Sequence, residues 1–250
     1  MKIRDLLAHI DSFAPFSLAE EWDNSGLLVG SPDAEAVKVG VCLDAVSESV
    51  LAASEEGCNV LVCHHPLIFR AVKRITDESE QGRTILEAVR HNVNIIAAHT
   101  NWDKAHGGVN DTLSALLGLK DTEPLGDIGV VGNIGSVAVP EFAEHMKTSW
   151  GLSHIDSYGR AERVVRVALC GGSGSEFWWL AKSKGADIYL TADMKYHELI
   201  DATQEGLAIG LINHGEMERA TLPELARKIS LCGLETVILD VKALTEPLRI

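Results

Sequence analysis

The sequence lacks a positive charge excess, a long apolar run and a paired cysteine pattern. Lysine and arginine number 22 against 36 aspartates and glutamates, giving a net charge of −14. Such a surface repels phosphate backbones, so direct binding to nucleic acid is not expected. The chain has no uncharged apolar run of the about 18 residues that a spanning helix needs, and no signal-like apolar segment follows Met1. We therefore expect a soluble, cytoplasmic protein without membrane association.

The cysteines are five in number, an odd count, and most stand inside apolar runs without close paired spacing. This usage is typical of reduced core thiols and excludes a disulfide framework. The chain has 250 residues and 46% hydrophobic content, enough to bury the core of one large domain or two smaller ones.

Histidines stand at the ends of three strand-like apolar runs. His64 and His65 follow residues 60–63, His99 follows residues 94–98, and His214 comes shortly after residues 207–212. Two carboxylates, Asp103 and Glu218, lie four residues after His99 and His214. Because sites in open α/β sheets form at the carboxyl ends of strands, this pattern predicts a metal site.

The ligand types indicate which metals the site would hold. Imidazole and carboxylate together suit zinc, iron, manganese or a similar divalent ion. Six candidate ligands exceed the needs of one tetrahedral ion, whereas two ions roughly 3.5 to 4 Å apart would use five or six. We therefore predict a dinuclear centre. Any one of these histidines alone would be interpreted as an ordinary strand-terminal residue, and only the joint pattern favours metal.

Cys63 adjoins the histidine pair, and a thiolate there would bind zinc. Side chains alternate along a strand, so that of Cys63 points away from that of His64. We expect a buried thiol that binds no metal.

A strand–helix–strand pattern occurs twice. It covers residues 38–43, 47–56 and 60–63, and again residues 164–170, 175–184 and 187–191. Cys42 and Gly57 lie 128 residues before Cys170 and Gly185, so the two copies align without a gap. The unbroken register indicates duplication of an ancestral half.

The later motifs repeat too, since His99 and Asp103 lie 115 residues before His214 and Glu218. His64 and His65, however, align with Ala192 and Asp193, so the expected site is pseudo-symmetric but uneven. The prediction is an α/β fold of two pseudo-symmetric halves, residues 1–119 and 120–250, packed tightly and sharing one site at strand carboxyl ends.

Two further motifs each have two interpretations. Residues 171–174, Gly-Gly-Ser-Gly, either cradle a phosphate with backbone N–H groups or form a tight strand-to-helix turn. Asp23 and Asn24 either orient a ligand imidazole or substrate, or cap the following strand through an Asx turn.

Several segments resemble one known family. They are Glu-Trp-Asp-Asn-Ser-Gly-Leu-Leu-Val-Gly at 21–30, Cys-His-His-Pro-Leu-Ile-Phe at 63–69, His-Thr-Asn-Trp-Asp at 99–103, Gly-Gly-Val-Asn-Asp at 107–111, the glycines of 171–174, and the His214–Glu218 pair. Together they resemble the GTP cyclohydrolase 1 type 2 homologue family, also called Nif-three-like or YbgI-like, in the expected order over nearly the whole chain.

The resemblance implies a Nif-three-like fold of two intertwined α/β halves, a homohexameric ring and a two-metal centre. It places the metal ligands on His64, His65, Asp103, His214 and Glu218, with His99 lining the site. Residues 191–197 read Thr-Ala-Asp-Met-Lys-Tyr-His, where the family tends to read Thr-Gly-Glu-(Ile/Met)-Lys-His-His. This departure lies in a substrate-side loop, so substrate details are not carried over.

The function predicted from these features is metal-dependent hydrolysis. Metal-bound hydroxide would attack the substrate, and His99 and His197 are the candidate catalytic proton shuttles. The family name points to a GTP-like purine nucleotide as the small-molecule substrate. The alternative is a metal-binding scaffold, carrier or regulatory protein without turnover.

Overall fold

A computed structural model describes residues 1–241 of the chain. The α-helices are α1 (Ile3–Phe13), α2 (Ser47–Glu55), α3 (Glu80–Arg90), α4 (Thr100–Lys104), α5 (Val109–Leu117), α6 (Val139–Trp150), α7 (Trp178–Ser183), α8 (Tyr196–Gln204), α9 (His214–Arg219) and α10 (Leu222–Ser230). The strands are β1 (Gly26–Val29), β2 (Lys38–Asp44), β3 (Val60–His65), β4 (Asn94–Ala97), β5 (Lys120–Leu125), β6 (Gly129–Ala138), β7 (Ile155–Tyr158), β8 (Arg163–Ser173), β9 (Ile188–Ala192), β10 (Ala208–Ile212) and β11 (Glu235–Ile238). Short 3₁₀ helices cover Phe16–Leu18 and Ser175–Phe177.

The chain forms two compact units. The first unit is Met1–Gly108 with the described residues from Leu222 onward, and the second unit is Val109–Thr221. This division differs from the expected halves 1–119 and 120–250, because α5 joins the second unit while α10 and β11 return to the first. The return has a packing reason, since α10 buries an apolar face at i, i+3, i+4 and i+7 spacing.

The first unit contains a five-stranded sheet in the order β1-β4-β3-β2-β11. Strands β11, β2, β3 and β4 are parallel, and β1 adds an antiparallel edge. Apolar residues run continuously along β3 because its interior is buried, as expected for a parallel strand covered on both faces. The core of this sheet includes Leu61, Ile95 and Val50 of the neighbouring helix α2.

The second unit contains a six-stranded sheet in the order β5-β6-β8-β9-β10-β7. Strands β8, β9 and β10 are parallel, whereas β6 and β7 flank them antiparallel. Its core includes Ala168, Tyr189 and Ile209, one residue from each parallel strand. Both units therefore combine helices with a partly parallel sheet, which confirms the predicted α/β class.

The predicted internal repeat is confirmed by strand register. Val39 pairs with Val60, and Val167 pairs with Ile188, so the partners lie 21 residues apart in both sheets. The glycines that end the two connecting helices have nearly equal positive φ values, +74° at Gly57 and +75° at Gly185. Glycine adopts this left-handed conformation at low cost, so both helices stop at the same place.

Cys63 has the predicted structural role. Its side chain is fully buried in the first sheet's core, and its Sγ lies 3.4 Å from the carbonyl oxygen of Ile96. Burial raises the pKa of this thiol to about 12. The group therefore stays a thiol at neutral pH and is a poor metal ligand.

Within residues 1–241, every helix is too short or too polar to cross a membrane.

Candidate metal centre

Three neighbouring parallel strands of the first unit bring polar side chains to one edge of the sheet. Asp44 ends β2, His64 and His65 end β3, and His99 follows β4 by two residues. Asp44 lies opposite His65 in the strand register. Ligand nitrogens of His64, His65 and His99 all lie within 4.8 Å of one another. The strand ends thus assemble the three predicted imidazoles of this unit.

Each of these three imidazoles is anchored through Nδ1. The Nδ1 atom lies 2.9 Å from the carbonyl oxygen of Ala98 in His64, and 2.8 Å from Oδ1 of Asp44 in His65. In His99 it lies 2.8 Å from Oδ1 of Asp23. Because carbonyl and carboxylate oxygens only accept, each Nδ1 must carry the proton and donate it. In the neutral rings Nε2 then holds the lone pair, the arrangement seen in metal-binding histidines.

Asp103 supplies a carboxylate beside this group. It lies in α4, one turn after His99, and its Oδ1 is 3.5 Å from Nε2 of His64. Both side chains are largely buried. A carboxylate held so close to a buried imidazole adds a hard oxygen donor to three nitrogen donors.

Asp23 holds His99 in place from a fully buried position. Its Oδ2 accepts hydrogen bonds from the Ser25 hydroxyl at 2.9 Å and from the Thr100 backbone N–H and hydroxyl at 3.1 and 2.6 Å. Burial by itself would raise the pKa of Asp23, but hydrogen bonds from His99, Thr100 and Ser25 hold that pKa well below its usual range. The carboxylate is therefore charged and orients the imidazole. Of the two interpretations of Asp23, the structure supports the orienting one.

The second unit contributes a histidine and a glutamate from α9. His214 begins this helix directly after β10, and Nε2 of His214 lies 3.1 Å from Oε1 of Glu218 one turn later. Nδ1 of His214 lies 2.5 Å from Oδ2 of Asp193, which has a positive φ of +39° just beyond β9. His214 is thus anchored through Nδ1 by a carboxylate, like His65 and His99 in the first unit.

Gly172 provides the space for this pair. It has a φ of +65°, and a Cβ at this position would lie 2.5 Å from Oε1 of Glu218 and 3.3 Å from Nε2 of His214. Only glycine leaves room for the two ligand atoms at this approach.

Two backbone donors of the glycine segment are engaged within the unit. The Gly171 N–H donates to Oδ1 of Asn110 at 2.8 Å, and the Gly174 N–H donates to the Thr191 hydroxyl at 3.1 Å. These bonds favour the tight-turn interpretation of residues 171–174.

The donor geometry fits a divalent cation in both units. An Nε2 lone pair and a carboxylate oxygen, at 3.5 Å for His64 and Asp103 and at 3.1 Å for His214 and Glu218, are both electron-pair donors. Such a pair is stabilised only when a proton or a cation lies between its members. Imidazole and carboxylate suit zinc, iron or manganese, which agrees with the prediction.

The five predicted metal ligands thus lie in two sets, His64, His65 and Asp103 in the first unit and His214 and Glu218 in the second. His99 lies with the first set. His197, the other predicted catalytic residue, is exposed in the first turn of α8 beside Tyr196, and its proposed role stays a prediction.

Sequence reasoning missed Asp44 and Asp193. These carboxylates fix the tautomers of His65 and His214. A signal for Asp44 existed, because a strand-terminal aspartate 21 residues before His65 falls opposite it in a parallel pair.

Comparison with known proteins gives a consistent picture. A family model described as Duf34/NIF3 (NGG1p interacting factor 3) matches residues 1–244. A relative in Lactococcus lactis subsp. lactis (strain IL1403), named GTP cyclohydrolase 1 type 2 homolog, is 35% identical, and the alignment covers 99% of this chain and 98% of the relative. A crystal structure of a Staphylococcus aureus hypothetical protein superimposes with a TM-score of 0.91 at 28% identity, covering 100% of this chain and 99% of the other. The crystal structure titled "Reduced HcgD" from Methanocaldococcus jannaschii gives a TM-score of 0.83 at 28% identity over 96% of this chain and 98% of the other.

Proposed function

Because the chain belongs to the Duf34/NIF3 family, we propose that it is a divalent-metal-dependent hydrolase with a dinuclear centre. The observation that carries the proposal is that His64, His65, His99 and His214 each bind an oxygen through Nδ1. In each neutral ring Nε2 then carries the lone pair, and this is the tautomer that a histidine needs to bind a metal through Nε2.

We assign the ligands to the residues that the sequence predicted. His64, His65, Asp103, His214 and Glu218 would hold the two ions. Two bound divalent ions would activate water and polarise the substrate's electrophilic atom. Asp103 and Glu218 would supply the carboxylate oxygens that help to hold the ions.

The chain's own residues would orient the reactants and move protons. Asp44, Asp23 and Asp193 keep the imidazoles in one tautomer and one orientation. We propose His99 for proton transfer within the first ligand group, because its Nε2 atom is not committed to the Asp23 bond. His197 is exposed and accessible to a substrate, which is compatible with the same role.

The proposed substrate class rests on the name of the relatives, GTP cyclohydrolase 1 type 2 homolog. We propose a purine nucleotide of the GTP type, hydrolysed at a ring carbon. Assembly into a homohexameric ring is also part of this proposal and rests on the family resemblance. Light scattering of the purified protein tests the assembly.

The test of function is product analysis by mass spectrometry. Protein loaded separately with zinc, iron or manganese is incubated with GTP, a nucleotide panel and small peptides. We expect metal-dependent conversion that is lost in Glu218→Gln, a substitution that keeps the size of the side chain. A suitable control is His154→Ala, because His154 bonds Asp156 and neither residue belongs to the predicted ligand set.

Two outcomes would change the assignment. Binding of two ions without conversion of any substrate would favour a metal-binding scaffold or carrier. Equal conversion by wild type and Glu218→Gln would exclude the proposed centre.

A further inference from the structure

Two large aromatic side chains are exposed beside His99. Trp22 is 59% exposed and Phe69 is 45% exposed. Their ring centroids lie 5.7 Å apart, and they lie 6.2 Å and 6.4 Å from the His99 ring. Both aromatic rings therefore contact His99, which lies beside the predicted ligands His64 and His65.

The turn that carries Trp22 is held by hydrogen bonds on both sides. The Asp23 backbone N–H donates to the Glu20 carbonyl oxygen at 3.0 Å, and the Glu20 backbone N–H donates to the Thr100 hydroxyl at 2.9 Å. On the other side Asp23 is held by four hydrogen bonds from His99, Ser25 and Thr100. The exposed indole is thus carried by a rigid turn.

Phe69 is tied to the same turn. Nδ2 of Asn24 donates to the carbonyl oxygen of Ile68 at 2.5 Å, which fixes the residue preceding Phe69. Asn24 and Trp22 belong to one turn, so one hydrogen bond sets the two aromatic residues relative to each other. This assigns to Asn24 a role that sequence reasoning left open.

Two exposed aromatic rings held in place contribute little to the stability of the fold, because aromatic side chains stabilise a fold mainly when their area is buried. Such rings at a site indicate a ligand surface. We propose that Trp22 and Phe69 form a stacking platform that binds the flat, nitrogen-containing ring of the ligand next to the metal ions. This inference rests on the proposed function for the presence of those ions.

The geometry limits how such a ring would bind. The planes of Trp22 and Phe69 are tilted by 60° at contact distance, so no ligand ring fits between them. A flat ring would instead stack on one face of the indole with its edge toward Phe69. A planar base makes full face contact with an indole, so the platform favours planar groups.

Calorimetric titration of zinc-loaded protein tests the platform, with guanosine, adenosine and uridine as flat probes and ribose as the non-planar probe. Trp22→Ala and Phe69→Ala are compared with wild type. Trp179→Ala is the matched control, because Trp179 is also 59% exposed but lies in α7 of the second unit. Metal content and oligomeric state are measured for every variant.

We expect guanosine to bind wild type and to bind Trp22→Ala about fivefold or more weakly, the range for loss of one stacked base. Metal content and the Trp179→Ala affinity should not change. Equal guanosine affinity in Trp22→Ala and wild type, or no binding of any flat probe by wild type, would overturn the platform. A changed oligomeric state with unchanged affinity would also overturn it and assign the surface to a second copy of the chain.

The outcome is separable from that of the proposed function. Guanosine binding that depends on Trp22, without any nucleotide conversion, would exclude the hydrolase proposal and support the platform. Conversion that persists in Trp22→Ala with an unchanged KM would support the hydrolase proposal and exclude the platform.

Discussion

In the first sheet β3 ends in His64 and His65, whereas the equivalent strand β9 of the second sheet ends in Thr191 and Ala192. The two strands occupy the same place in their sheets, each between two parallel neighbours. Each sheet also has an antiparallel edge strand beside the third parallel strand. One scaffold therefore carries a histidine-rich strand end in the first unit and a histidine-poor one in the second.

The difference begins at a bulge. β2 keeps its register with β3 as far as the pair Asp44 and His65. β8 instead inserts two extra residues relative to β9 between the pairs Leu169–Leu190 and Ser173–Ala192. Gly172 lies in this bulge, where it makes room for the second unit's ligands. The comparison teaches that a duplicated frame can diverge in chemistry through its strand ends while its core register stays fixed.

Loss of a ligand should give the largest effect. We expect His64→Ala and His214→Ala each to lower zinc affinity by more than the about 10- to 100-fold typical when only an orienting residue is removed. Competition with a chromogenic chelator measures the affinity, and His154→Ala should match wild type. If His214→Ala retained full affinity while His64→Ala lost it, the second unit's pair would not belong to the centre.

The second-largest effect should come from adding a methyl group at the bulge. Gly172→Ala places its Cβ against Glu218, whereas Gly185→Ala has a similar positive φ with nothing within 4 Å. Both variants carry the cost of a left-handed alanine, about 1–2 kcal/mol in unfolding free energy. We expect zinc affinity to fall about tenfold in Gly172→Ala alone. Equal zinc affinities in the two variants would show that the space left by Gly172 is irrelevant to metal binding.

Removal of an orienting charge should distinguish the two units further. The Asp44 side chain, which orients the ligand His65, is 29% exposed, whereas the Asp193 side chain is 58% exposed and water can replace its bond to His214. Asp44→Asn should therefore weaken zinc binding toward the upper part of the about 10- to 100-fold range, and Asp193→Asn toward the lower part. The reverse order, measured with the same chelator, would contradict the importance of burial.

The smallest effect concerns the start of helix α2, where Glu80 of α3 caps the first backbone N–H of the helix, that of Ser47. Hydrogen bonds from the Ser47 backbone N–H and hydroxyl lower the pKa of Glu80 from 4.5 to about 2. A lowered folded pKa stabilises the protein above the unfolded value and loses that stabilisation as pH falls from 4.5 toward 2. Denaturant unfolding should show a shallower loss of stability between these pH values in Glu80→Gln. An identical slope in both proteins would exclude this cap.

The sequence alone predicted those features that depend on local pattern. The βαβ repeat, the stops at Gly57 and Gly185, the buried Cys63 and the histidines at strand ends all follow from periodicity and spacing. The choice between the two interpretations of Asp23 did not follow, because Asp23 lies 76 residues from His99 and only tertiary packing brings them together. The bulge at Gly172 was also unpredicted, since a gapless alignment assumes equal strand registers.

The most direct test of the central claim is X-ray absorption spectroscopy of the zinc-loaded protein with metal counting. The account predicts about two ions per chain with nitrogen and oxygen ligands at about 2.0–2.1 Å and outer-shell scattering typical of imidazole. The imidazole signal should fall in both His64→Ala and His214→Ala. A sulfur shell at about 2.3 Å, or a wild-type spectrum in either variant, would contradict it.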